Sequence, residues 1–177
     1  MNKKRPYKVI EHQEHIISRF TIIKDIIEIN GRKCPYSYEQ VGDCACVLPI
    51  HGDNIVLIWQ YRHSLNEWFY EIPAGGLDGQ QSMIAAEREL LEETGYVAKQ
   101  MAYLGKYPVS PGISTSVAHL YVAICGQKKE QRLDAAEIIQ IKEVSKKEFS
   151  KMITIGEFNH MVGIVAWYLY QQYYGEK

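Results

Sequence analysis

The sequence predicts an α+β or α/β sandwich, and three observations carry that expectation. Apolar, β-branched runs recur between turn signals along most of the chain. One internal segment is helical with a crowded acidic face, and a further helical stretch lies near the end. The 177 residues fit one domain by the usual prior of roughly 100–200, enough to bury a real core.

Taken in order, Arg19 to Ile29 is β-branched and apolar, and Asn30-Gly31 after it is a strong hairpin signal, so two strands should meet there. Val41 to Ile50 and Asn54 to Arg62 flank the turn His51-Gly52-Asp53. Cys44 and Cys46 alternate on the first of these runs and share a face. Cys34 and Cys125 are remote and no Cys-x-x-Cys occurs, so the four are read as buried, reduced thiols. Glu71 to Gly79, with one proline and three glycines, is a tight loop. Gln81 to Thr94 follows as a helix capped by Gly95, with Ala85, Leu90 and Leu91 turned inward. Val97 to Tyr107, Val117 to Cys125 and Glu137 to Val144 read as strands. Ser145, with Glu148 three residues on, opens a helix as a capping box. After Gly156, Met161, Val165, Tyr168 and Leu169 mark the stripe of a last helix. Trp59, Trp167 and Tyr168 are assigned to the core, and Trp68, Phe69 and Tyr70 to the wall of a pocket.

A net charge of −1 with scattered Lys and Arg gives no footprint for duplex nucleic acid. The basic start, Met1 to Pro6, is followed by no apolar signal core. The longest apolar run, Met161 to Tyr170, falls short of the about 20 residues that a bilayer requires. The expectation is a cytoplasmic protein with no membrane contact.

Chemistry concentrates on the acidic helix. At about 1.5 Å rise per residue, Glu89 and Glu93 lie on neighbouring turns with Glu92 beside them, and like charges at that spacing repel. Such a face is either solvated or used on a cation. A glycine-rich loop ahead of it adds carbonyl oxygens, a donor set suited to Mg²⁺ or Mn²⁺. Arg88 either pairs with Glu92 on the helix surface or orients a ligating carboxylate.

At these residues the chain resembles the Nudix hydrolases, whose box runs Gly-x5-Glu-x7-Arg-Glu-U-x-Glu-Glu-x-Gly-U, with U a bulky apolar residue. Arg88-Glu89-Leu90-Leu91-Glu92-Glu93-Thr94-Gly95-Tyr96 fits the second half throughout. In the first half Gly75 is followed by four residues instead of five, and Gln80 stands where a glutamate is expected. Ile55 to Arg62, Glu71-Ile72-Pro73-Ala74-Gly75 and Ser110-Pro111-Gly112 are similar to the ADP-ribose pyrophosphatase branch, and the resemblance covers roughly residues 40 to 170.

That resemblance implies an α+β class fold, the α/β/α Nudix sandwich with a mixed sheet, over residues 41–177. A small β segment, residues 1–40, would precede it and help build a homodimer. It implies hydrolysis of the diphosphate bond in a nucleoside diphosphate linked to another group, ADP-ribose first, giving AMP and ribose 5-phosphate. Mg²⁺ or Mn²⁺ would be held by Glu89, Glu92, Glu93 and the Ala74 carbonyl, with Arg88, Glu92 and Glu93 in the catalytic machinery. Arg62 would contact the diphosphate and Glu71 a ribose or a water near the metal, with Trp68, Pro111 and Gly112 also on the substrate. Relatives of this branch carry an acid near the end of the Ser110 loop, where this chain has Ser116. Either the metals alone would generate the hydroxide or another group has moved in, and the expectation is metal activation with help from Glu137, in a loop, ahead of His119 on a strand. The alternatives are a pyrophosphatase of another nucleotide sugar, a catalytically weakened nucleotide-binding or regulatory module, and a nucleic-acid-binding domain.

Overall fold

The structure, a computed structural model, describes residues 4–135 and 137–175. The first three residues of the basic start, Ala136 of the loop before Glu137, and residues 176–177 lie outside it.

The chain divides into two units. The first comprises residues 1–42 and 108–117. It holds an antiparallel sheet of β1 (Lys8–Ile17), β2 (Phe20–Ile29) and β3 (Arg32–Gln40), in that order. Asn30 and Gly31 make the β2–β3 turn with φ of 52° and 75°, the left-handed pair that a tight two-residue hairpin needs. β1 is an addition to the sequence reading. Its centre, Glu11-His12-Gln13-Glu14-His15, has no apolar alternation, so only its pairing with β2 reveals a strand. His12 Nδ1 lies 2.7 Å from the buried Asp25 Oδ1 across that pair. Residues 108–117 are tied to β3: the Tyr36 hydroxyl donates to Gly112 O at 2.8 Å, and the Thr115 N–H donates to Glu39 O at 3.0 Å.

The second unit, residues 43–107 and 118–177, holds a seven-stranded sheet. Its main path runs β10 (Ile139–Ser145), β5 (Asn54–Arg62), β4 (Cys44–His51), β9 (Val117–Lys128), β8 (Tyr96–Pro108). β6 (Glu67–Glu71) pairs with β5, and β7 (Ala74–Gly76) with β4. β4 and β9 are parallel while β4–β5, β5–β6, β5–β10 and β4–β7 are antiparallel, so the sheet is mixed and the class is α+β.

α1 (Ser82–Thr94) lays Ala85, Ala86 and Leu90 on Ala45, Val47, Val56, Tyr121 and Ala123. Leu91 is only half-buried. Strand alternation turns Leu48 and Leu57 the other way, and α2 (Lys146–Thr154) and α3 (Met161–Tyr174) contact β5 and β4. Their joint is aromatic: Phe149 meets Phe158 and Trp167 edge-on, with centroids 4.7 and 5.4 Å apart. Burying side chains of this size contributes about 1.5–3 kcal/mol each. The Ser145 hydroxyl accepts the Glu148 N–H at 3.1 Å, the cap that the sequence signalled.

Two expectations about burial are corrected. The face of α3 that packs is Gly163, Ala166 and Trp167, whereas Met161 and Tyr168 are exposed. The helix is apolar nearly all round, so periodicity cannot select a face, and the small residues decide it: a Cβ on Gly163 would come within 2.6 Å of the Phe158 ring. Trp59 is half-buried, as are Cys34 and Cys44, while Cys46 and Cys125 are buried. Among the described residues no helix is long and apolar enough to cross a membrane.

Candidate active site

The site begins where β7 pairs with β4, Cys44 opposite Gly76 and Cys46 opposite Ala74, with the Val47 N–H bonded to Pro73 O at 2.9 Å. The chain then turns through Asp78 and Gly79, both at positive φ, into α1. This brings the inner carboxylates of α1 against the loop. Glu93 is 2% exposed and its Oε2 accepts the Ala74 N–H at 2.9 Å. Glu89 is also buried, and a Cβ on Gly75 would overlap its carboxyl group, so the glycine is required for close approach.

Arg88 gathers the loop and the helix. Its Nη1 lies 2.7 Å from Glu89 Oε1 and 3.0 Å from Glu92 Oε2. Nη2 donates to Gly76 O at 2.8 Å and to Asp78 Oδ2 at 3.2 Å, and Nε to Gln80 Oε1 at 3.2 Å. Gln80, in place of the expected glutamate, thus still supplies an acceptor to this guanidinium, and Asp78 of the shortened loop supplies a charge.

The last turn of α1 leaves backbone carbonyls that need donors, and the segment after β9 provides them. Lys129 N–H bonds to Gly95 O at 2.7 Å, Arg132 N–H to Glu92 O at 2.9 Å, and the Gln131 side-chain amide to Glu93 O at 2.5 Å. Suspended this way, Arg132, Asp134 and Glu137 line a cavity of about 180 Å³ with Ala74, Gly75, Gly76, Asp78, Arg88, Glu89 and Glu92. Glu137 Oε2 accepts the Asp134 N–H at 2.9 Å. Arg132 and Asp134 carry no motif; the signal that locates them is the helix end in need of donors.

Burial raises the Glu89 carboxyl above the ordinary range, with Arg88 opposing. Glu93 is lifted to about 9, chiefly by burial, with the Ala74 N–H opposing and the charges of Glu89 and Glu137 adding to the rise. Desolvated carboxylates one helical turn apart favour a compensating positive charge. The donors are hard oxygens, which fit Mg²⁺ or Mn²⁺. Among the described residues no three His, Cys, Asp or Glu side chains converge on one point at ligand spacing. Arg88 Nη1 stands between Glu89 and Glu92 instead.

A second cavity, of about 570 Å³, is lined by Arg62, Leu65, Phe69, Glu71, Asn159 and His160 among others. Arg62 holds Glu71 by a bidentate pair, Nε to Oε1 at 2.7 Å and Nη2 to Oε2 at 2.6 Å. Glu71 is 6% exposed, and this bond raises the Arg62 pKa further. Strand parity corrects the aromatic wall. β6 turns Phe69 and Glu71 to this cavity, while Trp68 points to the opposite face and stacks on Trp59 with centroids 5.9 Å apart. Trp68 is therefore not brought together with Arg62. Pro111 lies in the first unit, lining a cavity of about 290 Å³ with Tyr36, Tyr38, Ser114 and Thr115 among others, and Gly112 lies beside it in the chain. The Ser116 N–H bonds to the Ser114 hydroxyl at 3.2 Å. His119 is paired with Asp43, Nε2 to Oδ2 at 3.0 Å. His160, which no motif marks, accepts the Ile72 N–H on Nδ1 at 3.3 Å.

Gly75→Ala should displace the Glu89 carboxylate while leaving the melting temperature within a few degrees, because the obstacle is the end of a flexible side chain. The check is catalytic turnover alongside thermal unfolding, with activity falling on the order of 10–100-fold.

The NUDIX domain family model matches residues 40–162. The chain is similar to a methanol dehydrogenase activator of Bacillus methanolicus, 36% identical over 127 residues, covering 70% of this chain and 69% of that protein. It is 28% identical over 135 residues to an ADP-ribose pyrophosphatase of Bacillus subtilis (strain 168), covering 74% of this chain and 73% of that one. The crystal structure of an ADP compounds hydrolase shares its fold, with a TM-score of 0.86 at 21% identity over 98% of this chain and 96% of that chain.

Proposed function

Because the chain belongs to the Nudix family, we propose that it is a pyrophosphohydrolase acting on a nucleoside diphosphate linked to a further group, with ADP-ribose the first candidate substrate. The observation that carries this reading is the cavity in which the loop Ala74–Gly76, Glu89 and Glu92 of α1 and Glu137 of the covering loop meet. Glu89, Glu92 and Glu93 with the Ala74 carbonyl would hold Mg²⁺ or Mn²⁺. When bound, such a cation supplies neutralisation of the diphosphate charge and a lower pKa for water.

The chain's own groups do the rest. Arg62, a partly exposed side chain held by the buried Glu71 in a bidentate pair until substrate arrives, binds the diphosphate oxygens. Glu137 takes a proton from the attacking water on a carboxylate oxygen. The water oxygen bonds to one phosphorus as the bridging P–O bond breaks, giving AMP and ribose 5-phosphate. Arg88 fixes the loop against Glu89 and Glu92 and so sets the attack geometry.

A second reading, a nucleotide-binding or regulatory module with weakened chemistry, is favoured by Ser116 and by the likeness to a protein called an activator. Purified protein incubated with ADP-ribose, ADP-glucose, GDP-mannose, NADH and dinucleoside polyphosphates in Mg²⁺ separates the two. ADP-ribose is expected to be cleaved fastest, with AMP as a product and no turnover in chelator. Binding without cleavage of any of them replaces the enzyme by the module.

The reading includes a homodimer built through residues 1–40, supported by the independent β1–β3 sheet and its exposed Ile16, Ile17 and Phe20. Light scattering at micromolar concentration should return twice the 20.4 kDa chain mass. A monomer whose turnover is unchanged on deleting residues 1–38 would refute it.

A further inference from the structure

His160 precedes the first turn of α3 and lines the 570 Å³ cavity beside Arg62, Phe69 and Glu71. Because Nδ1 accepts the Ile72 N–H, the proton of the neutral ring lies on Nε2. Burial keeps the ring neutral by lowering its pKa, with Glu71 opposing and Arg62 reinforcing. Nε2 is 3.8 Å from Glu71 Oε2, the same oxygen that accepts from Arg62 Nη2 at 2.6 Å. Glu71 thus has one partner made and a second donor about 1 Å beyond bonding distance.

That arrangement solves a problem created by the first pair. If Arg62 turns to a diphosphate, Glu71 is left almost fully buried without a partner, which is costly for a carboxylate. We propose that His160 is a positioning residue that receives Glu71 at that moment, so that Glu71 exchanges the Arg62 guanidinium for the His160 Nε2–H and frees Arg62 for the anion. The exchange rests on the reading of Arg62 as the diphosphate ligand. No bond other than hydrogen bonds changes in it.

His160 also anchors Ile72, two residues before Ala74, and the two roles are separable by substitution. Asparagine reproduces the Nδ1 acceptor and removes the Nε2 donor; glutamine reproduces the donor and removes the acceptor. The experiment measures binding of imidodiphosphate, a diphosphate with a non-hydrolysable bridge, by calorimetry in Mg²⁺, together with steady-state kinetics on ADP-ribose. His160→Asn should weaken imidodiphosphate binding and raise KM by on the order of 10-fold, as for a hydrogen bond to a charged group, with kcat within about 3-fold. His160→Gln should stay within about 3-fold of the parent on both measures. In the parent protein the His160 Nε2–H proton resonance should move downfield on saturation with imidodiphosphate. The proposal is overturned if His160→Asn binds the probe as tightly as the parent, if His160→Gln loses more than His160→Asn, or if the resonance does not move. Should the parent leave ADP-ribose intact while the imidodiphosphate results follow expectation, the substrate reading fails and the role of His160 holds. Should the parent cleave ADP-ribose while both variants match it, the reverse applies.

Discussion

Glu93→Gln is expected to remove metal-dependent hydrolysis while the protein still folds. A group that merely supports a metal ligand is typically worth 10–100-fold, so loss of a ligand should cost more, on the order of 10³-fold. Folding is spared because glutamine keeps an oxygen for the Ala74 N–H. The metal-free protein carries a second signature. Glu93 holds its proton up to about 9 in the folded chain, against an ordinary value of 4.5. Between those values the folded state binds more protons than the unfolded one, so stability falls as pH rises through that window. Thermal unfolding in chelator should therefore show a melting temperature that declines from pH 5 to pH 8, and Glu93→Gln should flatten the decline. Full turnover by Glu93→Gln in Mg²⁺ would sink the assignment of this carboxylate to the metal.

Glu137→Gln is expected to lower kcat by on the order of 10²–10⁴-fold, the usual worth of a general base. His119→Ala should change kcat little, because that ring, on β9, is engaged with Asp43 just before β4. Ser116→Glu, which places an acid at the loop position where the resemblance implies one, should raise the rate or move its pH optimum. Measured pH–rate profiles for the three variants decide the matter: loss in His119→Ala with full activity in Glu137→Gln reverses the assignment.

How far the sequence was readable varies from place to place for physical reasons. The carboxylate helix was legible because a period of 3.6 residues leaves Glu89 and Glu93 no choice but a common face, and Gly95 marks its end. Trp68, Phe69 and Tyr70 were assigned together to one pocket wall, but successive strand residues alternate between the two faces of a sheet, so of the three only Phe69 lines the cavity with Arg62. The packed face of α3 was hidden because its apolar residues run all round, and the small side chains of Gly163 and Ala166 make the contact. β1 was silent because its polar residues have no buried face to advertise. Glu137 was chosen as a loop acid able to reach the site, but what brings it there is a set of backbone bonds to the end of α1, and backbone bonds are indifferent to side-chain identity.

Those bonds carry a consequence for local opening. Lys129 and Arg132 donate to Gly95 and Glu92, so the covering loop and the last turn of α1 share hydrogen bonds that neither can break alone. A fluctuation that frays the helix end releases the loop as well, and the two close again together as one cooperative unit. The candidate base and the candidate ligands are thereby kept in a common frame. In hydrogen exchange, the amides of Lys129 and Arg132 and those of the last turn of α1 are expected to fall in one protection class.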